Sequence, residues 1–353
     1  MVCAGLTTAC GADQKQVTTI RARHWRPDEN QAVVCELCPH GCRLVPGATG
    51  ICRVRTNRNG ELVSLGYANP CAVHVDPIEK KPFYHVLPGA RSFSIAVAGC
   101  NFRCLNCQNY TISQASPLQT ANDYLPPEQV VEQAVKAGCT TIAYTYSEPS
   151  VWFEYMYDTA KLARAAGLRN LWVTNGHMNE GPIAELAGVM DAANIDLKGF
   201  DPQVHQKLTG AKLESVKAGL VAARKNGIWV EVTNLVVPQW TDKIDTIRRM
   251  CEWLCTNMGA DTPLHISRFH PMYKLAHLYP TPSEILTQAR AVAAEAGIHY
   301  VYVGNVGDAD IDTHCPSCHK AVIRRRGFLV TENAVVKGAC KYCGAAIAGI
   351  WTL

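Results

Sequence analysis

Between Phe93 and Gly304 short β-rich runs alternate with helical stretches, and this alternation constrains the fold more than any other feature of the chain. Parallel strands need crossover connections about as long as a helix, so the pattern predicts an α/β protein built on a parallel sheet. The predicted strands are FSIAVAG (93–99), TIAYTY (141–146), LWVTNG (171–176), ANIDLKG (193–199), WVEVTNLVV (229–237), LHISRFH (264–270) and HYVYVG (299–304). Several are rich in β-branched or aromatic residues and bounded by Gly or Pro. The stretches between them, such as PPEQVVEQAVKAG and LESVKAGLVAARKNG, mostly close on Gly, as helix C-termini do. Either an incomplete β/α barrel or an open doubly wound sheet satisfies this pattern. The strand ends decide between them: they carry Gly99-Cys100, Ser147-Glu148, Thr174-Asn175, Asp196 with Lys198, Thr233-Asn234 and Phe269-His270. Polar groups at the same end of successive parallel strands share one rim, which predicts a partial (β/α)6-type barrel with a single site.

Cysteine-rich segments flank this region. We expect a mobile leader over 1–30, a metal-binding module over 31–92, the barrel over 93–310 and a small terminal module over 311–353. Of the 353 residues 48% are hydrophobic, enough for one large core, and no apolar run approaches the length of a membrane span. The first residues, MVCAGLTTACGADQKQ, lack a basic stretch followed by an apolar one, so a cytoplasmic protein is expected. A net charge of +4, with one short Arg324-Arg325-Arg326 run, argues against nucleic acid as partner. Seventeen cysteines in close-spaced groups, in a chain of this length without an export signal, point to metal sites rather than disulfides.

The central group, GCNFRCLNCQN, sets Cys100, Cys104 and Cys107 in C-x3-C-x2-C spacing directly after the first barrel strand. Most iron–sulfur carriers supply four thiolates to a cubane cluster; three in one loop leave one iron open to a ligand. A zinc knuckle is the plainer reading of three cysteines in eight residues. Spacing and position nevertheless resemble those of the radical S-adenosylmethionine superfamily. That resemblance implies a [4Fe–4S] cluster whose free iron binds S-adenosylmethionine, and reductive cleavage to methionine and a 5′-deoxyadenosyl radical that abstracts hydrogen. Tyr146-Ser147-Glu148-Pro149 resembles the family's Gly-Gly-Glu-Pro motif without its glycines, which implies that Glu148 meets the methionine ammonium. Asp196-Leu197-Lys198 matches the Asp-Leu-Lys of pyruvate formate-lyase-activating enzymes. Asn175 and His270 sit where such activases line the cofactor pocket. The resemblance covers about residues 93–305. With VDPIEKKPFYH and AYTYSEP it extends to the radical component of the AmmeMemoRadiSam system.

In the terminal module Cys315-x2-Cys318 and Cys340-x2-Cys343 are spaced as the two knuckles of a zinc ribbon, where Zn2+ would supply the folding free energy that a small core lacks. Cys35, Cys38, Cys42 and Cys52 suffice for either a closed zinc site, the first expectation, or an auxiliary [4Fe–4S] cluster. His40 could replace a cysteine there and Cys71 could join. Cys139, Cys251 and Cys255 read as core residues, and Cys3 and Cys10 fall in the leader.

These observations predict a radical enzyme that uses S-adenosylmethionine, with flavodoxin or ferredoxin as electron donor. The substrate and any catalytic side chain are not identified. A glycyl-radical activase acting on a protein partner is the alternative within that class, and a non-catalytic zinc-binding scaffold is the alternative outside it.

Overall fold

The computed structural model describes residues 17–307 and 311–353. Its centre is a sheet of eight strands: β1 (Ala72–Pro77), β2 (Arg91–Ala96), β3 (Thr141–Tyr144), β4 (Arg169–Thr174), β5 (Ala192–Asp196), β6 (Trp229–Val236), β7 (Leu264–Arg268) and β8 (Val301–Gly304). Spatial order follows chain order from β1 to β8. All neighbours run parallel except β1, which pairs antiparallel with β2. A doubly wound sheet reverses its winding at a switch point. This one never does, so its helices collect on one face and the sheet curls as an open barrel. Those helices are α1 (Pro127–Lys136), α2 (Phe153–Ala165), α3 (Glu180–Ala187), α4 (Leu213–Lys225), α5 (Ile244–Met258) and α6 (Ser283–Glu295).

Alternation along the strands separates the two faces. Trp172 points into the large core between sheet and helices, whereas Leu171 and Val173 pack with Ile78, Phe83, Val86, Ala143 and Ala192 on the other side. The segment after β1 supplies that filling. Its backbone is pinned to the strands: Glu231 accepts from the N–H groups of Tyr84 and His85 at 3.0 and 2.9 Å, and Asn194 donates to the carbonyl of Pro82 at 2.7 Å. The barrel is therefore plugged at one end and polar at the other.

The sequence-based boundaries shift for a tertiary reason. Residues 72–90, expected in the N-terminal module, provide the edge strand and the plug of the barrel. Of the leader expected over 1–30, residues 1–16, and with them Cys3 and Cys10, lie outside the described residues. Residues 17–30 contribute strands: Ile20–Arg21 pairs with Glu61–Ser64, and Trp25–Pro27 with Val33–Cys35. Cys139 and Cys251 are buried and Cys255 is half-buried, all packed in the main core as expected. No helix among the described residues is long and apolar enough to cross a membrane.

Candidate functional site

All but the last of the predicted strands overrun the observed ones at their C-terminal ends, and the overrun is where the site forms. After β2 the chain leaves the sheet at Gly99, whose φ of +112° lies in the region that favours glycine. A Cβ there would stand 2.3 Å from Val54 Cγ2 and 2.8 Å from the carbonyl oxygen of Cys52. The loop that follows brings Cys100, Cys104 and Cys107 to the wall of a cavity of about 390 Å3. Cys100 Sγ accepts from the Phe102 N–H at 3.3 Å and lies 3.8 Å from Asn175 Nδ2. Burial pushes the Cys104 thiol up to about 12, although Lys198 acts in the opposite direction. Burial likewise raises Cys100 and Cys107. Thiolates at these positions need a cation bound to them.

The same cavity is lined by Glu148, Thr174, Asn175, Asp196 and Lys198, so four of the five expected cofactor contacts converge on the cysteine loop. Glu148, 1% exposed, is held from within. It accepts from Ser150 N and Oγ at 3.0 and 2.6 Å, from Thr174 Oγ1 at 2.7 Å and from Asn175 N at 2.8 Å. Burial nonetheless raises its carboxyl above the ordinary value. It thereby fastens the end of β4 beside the cysteines. Asn175 Nδ2 in turn donates to Asn101 Oδ1 at 2.8 Å. Asp196 and Lys198 form an ion pair at 2.8 Å on the facing rim. Burial works to lower the Lys198 ammonium, but Asp196 and Cys104 outweigh it and raise it. Tyr146 takes a φ of +67°, which explains why the family pattern has glycine near this point.

His270 is not brought in. It is exposed, with Nε2 3.5 Å from the Asn305 carbonyl, and the residue of that strand lining the cavity is Ser267. Phe269 turns away into a separate apolar cluster with Leu208 and Leu275.

Two features escaped sequence reasoning. Asn106, 4% exposed and between two of the cysteines, lines the cavity with a buried Oδ1 that has no partner. Lys81 and Tyr146 also line the cavity; Lys81 donates to Asp76 at 2.5 Å and to the Tyr146 hydroxyl at 2.7 Å, and that hydroxyl donates to Asp76 at 2.6 Å. Burial opposes the charged form of Asp76, but hydrogen bonds from Lys80, Lys81 and Tyr146 hold its carboxyl well below the usual range. The clue was present in the Asp-x3-Lys-Lys spacing of DPIEKK, but the plug had to fold back for its lysines to reach the cavity.

The outer cysteines form two further groups. Cys315, Cys318, Cys340 and Cys343 have ligand atoms all within 4.8 Å of one another, with Cys315–Cys343 and Cys318–Cys340 sulfurs 3.6 and 3.8 Å apart. Cys35, Cys38, Cys42 and Cys52 line a second, smaller cavity. His40 is turned from it, with Nε2 2.8 Å from the Asn101 carbonyl, and Cys71 is not part of its wall.

An open barrel, three strand-end cysteines without a fourth, an unpartnered polar atom among them and a polar rim suit a [4Fe–4S] cluster with one iron free for S-adenosylmethionine. Residues 94–254 match the model of the Radical SAM superfamily. The uncharacterized protein MJ0808 of Methanocaldococcus jannaschii is 44% identical over 323 residues, covering 91% of this chain and 96% of that one. The pyruvate formate-lyase 1-activating enzyme of Escherichia coli K12 is 24% identical over 227 residues, 60% of this chain and 91% of that one. Among solved structures, a domain of pyruvate-formate lyase-activating enzyme from Bacteroides vulgatus superposes with a TM-score of 0.41 at 16% identity, covering 46% of this chain and 98% of that one. The chain belongs to the radical S-adenosylmethionine superfamily. Members of that superfamily are enzymes of radical chemistry that use a [4Fe–4S] cluster and S-adenosylmethionine.

Proposed function

We propose that this chain cleaves S-adenosylmethionine reductively and abstracts a hydrogen atom from a substrate bound at the same rim. When bound, the cluster supplies the electron that breaks the sulfur–carbon bond and releases the 5′-deoxyadenosyl radical. The convergence of Cys100, Cys104 and Cys107 with Asn175, Asp196 and Lys198 on one cavity supports this reading. In it the three cysteines hold the cluster. Lys198 offers an ammonium to the methionine carboxylate and Asp196 a carboxylate to ribose or ammonium groups. Asn106 Oδ1 supplies a further acceptor. Glu148 has the protein donors described above on both oxygens, so it acts chiefly as a positioning residue. Lys81, Pro82 and Tyr146 line the same cavity, and in this reading they limit water near a reactive carbon radical. Zn2+ in the Cys315/Cys318/Cys340/Cys343 site would serve folding alone, its sulfur spacing matching a tetrahedron with Zn–S bonds of about 2.3 Å.

Protein reconstituted anaerobically with iron and sulfide, then given dithionite and S-adenosylmethionine, should form 5′-deoxyadenosine and methionine. Equal amounts from wild type and Cys104→Ala would end the proposal. Likeness to the E. coli activating enzyme supports a second reading, in which the hydrogen comes from a protein partner. Deuterium transfer into 5′-deoxyadenosine from a labelled partner protein, but from no labelled metabolite, would favour it.

A further inference from the structure

Three groups of cysteines can be compared in one chain, and the N-terminal one sides with the catalytic loop, not with the ribbon. We infer that Cys35, Cys38, Cys42 and Cys52 hold a second [4Fe–4S] cluster and not zinc. A tetrahedral zinc site with Zn–S bonds of about 2.3 Å has sulfur–sulfur edges of about 3.8 Å. The ribbon cysteines meet that requirement at 3.6 and 3.8 Å. Among the described residues theirs is the one group of three or more His, Cys, Asp or Glu with all ligand atoms within 4.8 Å of one another. No three sulfurs of the N-terminal quartet lie mutually within that distance, and neither do those of Cys100, Cys104 and Cys107. Wider spacing is what a cubane needs, because irons and sulfides stand between its ligand sulfurs.

The space between the N-terminal sulfurs is built. All four cysteines line one cavity with Leu37, Leu44, Ile51 and Val151. Gly50 sits at its edge, where a Cβ would lie 3.7 Å from Cys52 Sγ and 3.8 Å from Cys42 Sγ. Arg55 forms part of the wall and is 1% exposed. Its Nη1 donates to Glu154 at 3.0 Å and its Nη2 to the Arg23 carbonyl, while its buried Nε has no partner. A buried cation with a spare N–H beside four thiols is suited to an anionic thiolate-bound group.

Four thiolates would ligate every iron, so this cluster has no open position for substrate and can only carry electrons or stiffen the fold. Its place favours the former. The Cys52 carbonyl packs under Gly99, one residue before Cys100. Asn101 lines the N-terminal cavity and accepts from Asn175, the residue that reaches Cys100 Sγ. A one-electron donor of low potential, of the flavodoxin or ferredoxin class, would reduce the outer cluster, and the electron would pass to the inner one with no bond made or broken in the protein.

The assignment stands independently of the proposed reaction and is tested without it. The full-length triple variant Cys100→Ala/Cys104→Ala/Cys107→Ala, reconstituted anaerobically with ferrous iron and sulfide, should retain about four irons and about four sulfides per chain. It should also keep about one zinc. After dithionite it should show an electron paramagnetic resonance signal that does not respond to S-adenosylmethionine. About two zincs and no acid-labile sulfide would overturn the assignment, as would a folded, zinc-bearing chain without iron. A second variant guards against misfolding. Cys38→Ser/Cys42→Ser should lower iron from about eight per chain to about four, leaving a signal that does change with S-adenosylmethionine. Unchanged iron content in that variant would count against the cluster.

Discussion

The N-terminal and C-terminal cysteine quartets have the same ligand count and different geometry. At the C-terminus four sulfurs lie within 4.8 Å of one another, and the apolar cluster around them joins Cys315, Val322, Ile323 and Cys340 to Tyr84 of the plug and to Tyr300 and Tyr302 at β8. At the N-terminus the sulfurs surround a space, and Cys35, Leu37, Cys52 and Val54 belong to the core of the barrel itself. One quartet sits where the terminal module meets the plug and β8; the other packs into the main core beside Gly99. Ligand count alone therefore says little about a thiolate site, whereas sulfur separation and the surrounding core say much.

The comparison can be broken most severely at the ribbon. On the proposed zinc ligation, Cys340→Ser should release the ion, whose binding contributes roughly 10 kcal/mol in comparable small modules. Residues 311–353 should then become protease-sensitive while the barrel persists. Metal analysis with limited proteolysis checks this, and loss of the barrel would show that the two regions are not separable. Next in size is the buried ion pair that ties the N-terminal module to α2, Arg55–Glu154 at 3.0 Å with side chains 2% and 3% exposed. Arg55→Met strands a buried carboxylate and should cost about 3–5 kcal/mol in urea unfolding. Arg55→Met/Glu154→Leu should recover most of that loss.

A smaller effect lies at the seam between ribbon and barrel. His85 is fully buried, with Nδ1 donating to the Ala348 carbonyl at 2.7 Å and Nε2 accepting from the Tyr302 hydroxyl at 2.6 Å. Burial lowers this imidazole to about 4, so the unfolded chain takes up the proton first. Its contribution is intact above about pH 6.5, declines as pH falls toward 4 and is level below that, amounting to about 2 kcal/mol between pH 7 and 5. His85→Gln should flatten that part of the profile in denaturant unfolding at fixed metal content. Smallest is the exposed pair Lys341–Glu332 at 3.5 Å on the ribbon surface. Lys341→Ala should change stability by less than about 0.5 kcal/mol, and a larger loss would mean that the ribbon depends on its surface as well as its metal.

Much of the site was legible because strand ends and motif residues coincide. Cys100, Glu148, Asn175, Asp196 and Lys198 each follow a β-rich run, and parallel winding carries such residues to one rim without further information. His270 follows the same rule and fails it, because the chain after β7 turns outward at Phe269, whose ring is buried with Leu208 and Leu275. The edge strand β1, the paired residues 17–30 and the Lys81–Asp76–Tyr146 group were not legible. Their partners lie from about fifteen to seventy residues away in most cases, as with Ile20 opposite Ser64 and Asp76 opposite Tyr146, and local periodicity carries no information about such pairings.

Sequence by itself determined the parallel α/β architecture, the missing fourth thiolate at the central loop and the zinc-ribbon spacing of the tail, because each depends on residue order over a few turns or strands. Only the tertiary structure decided where the plug sits, which strand-end groups face the cysteines and how far apart the N-terminal sulfurs stand. Those are distances between segments remote in the chain, set by how the N-terminal module packs against Gly99 and the barrel core. The spacing of four cysteines in a sequence limits which sulfurs can meet, and packing determines the room left between them.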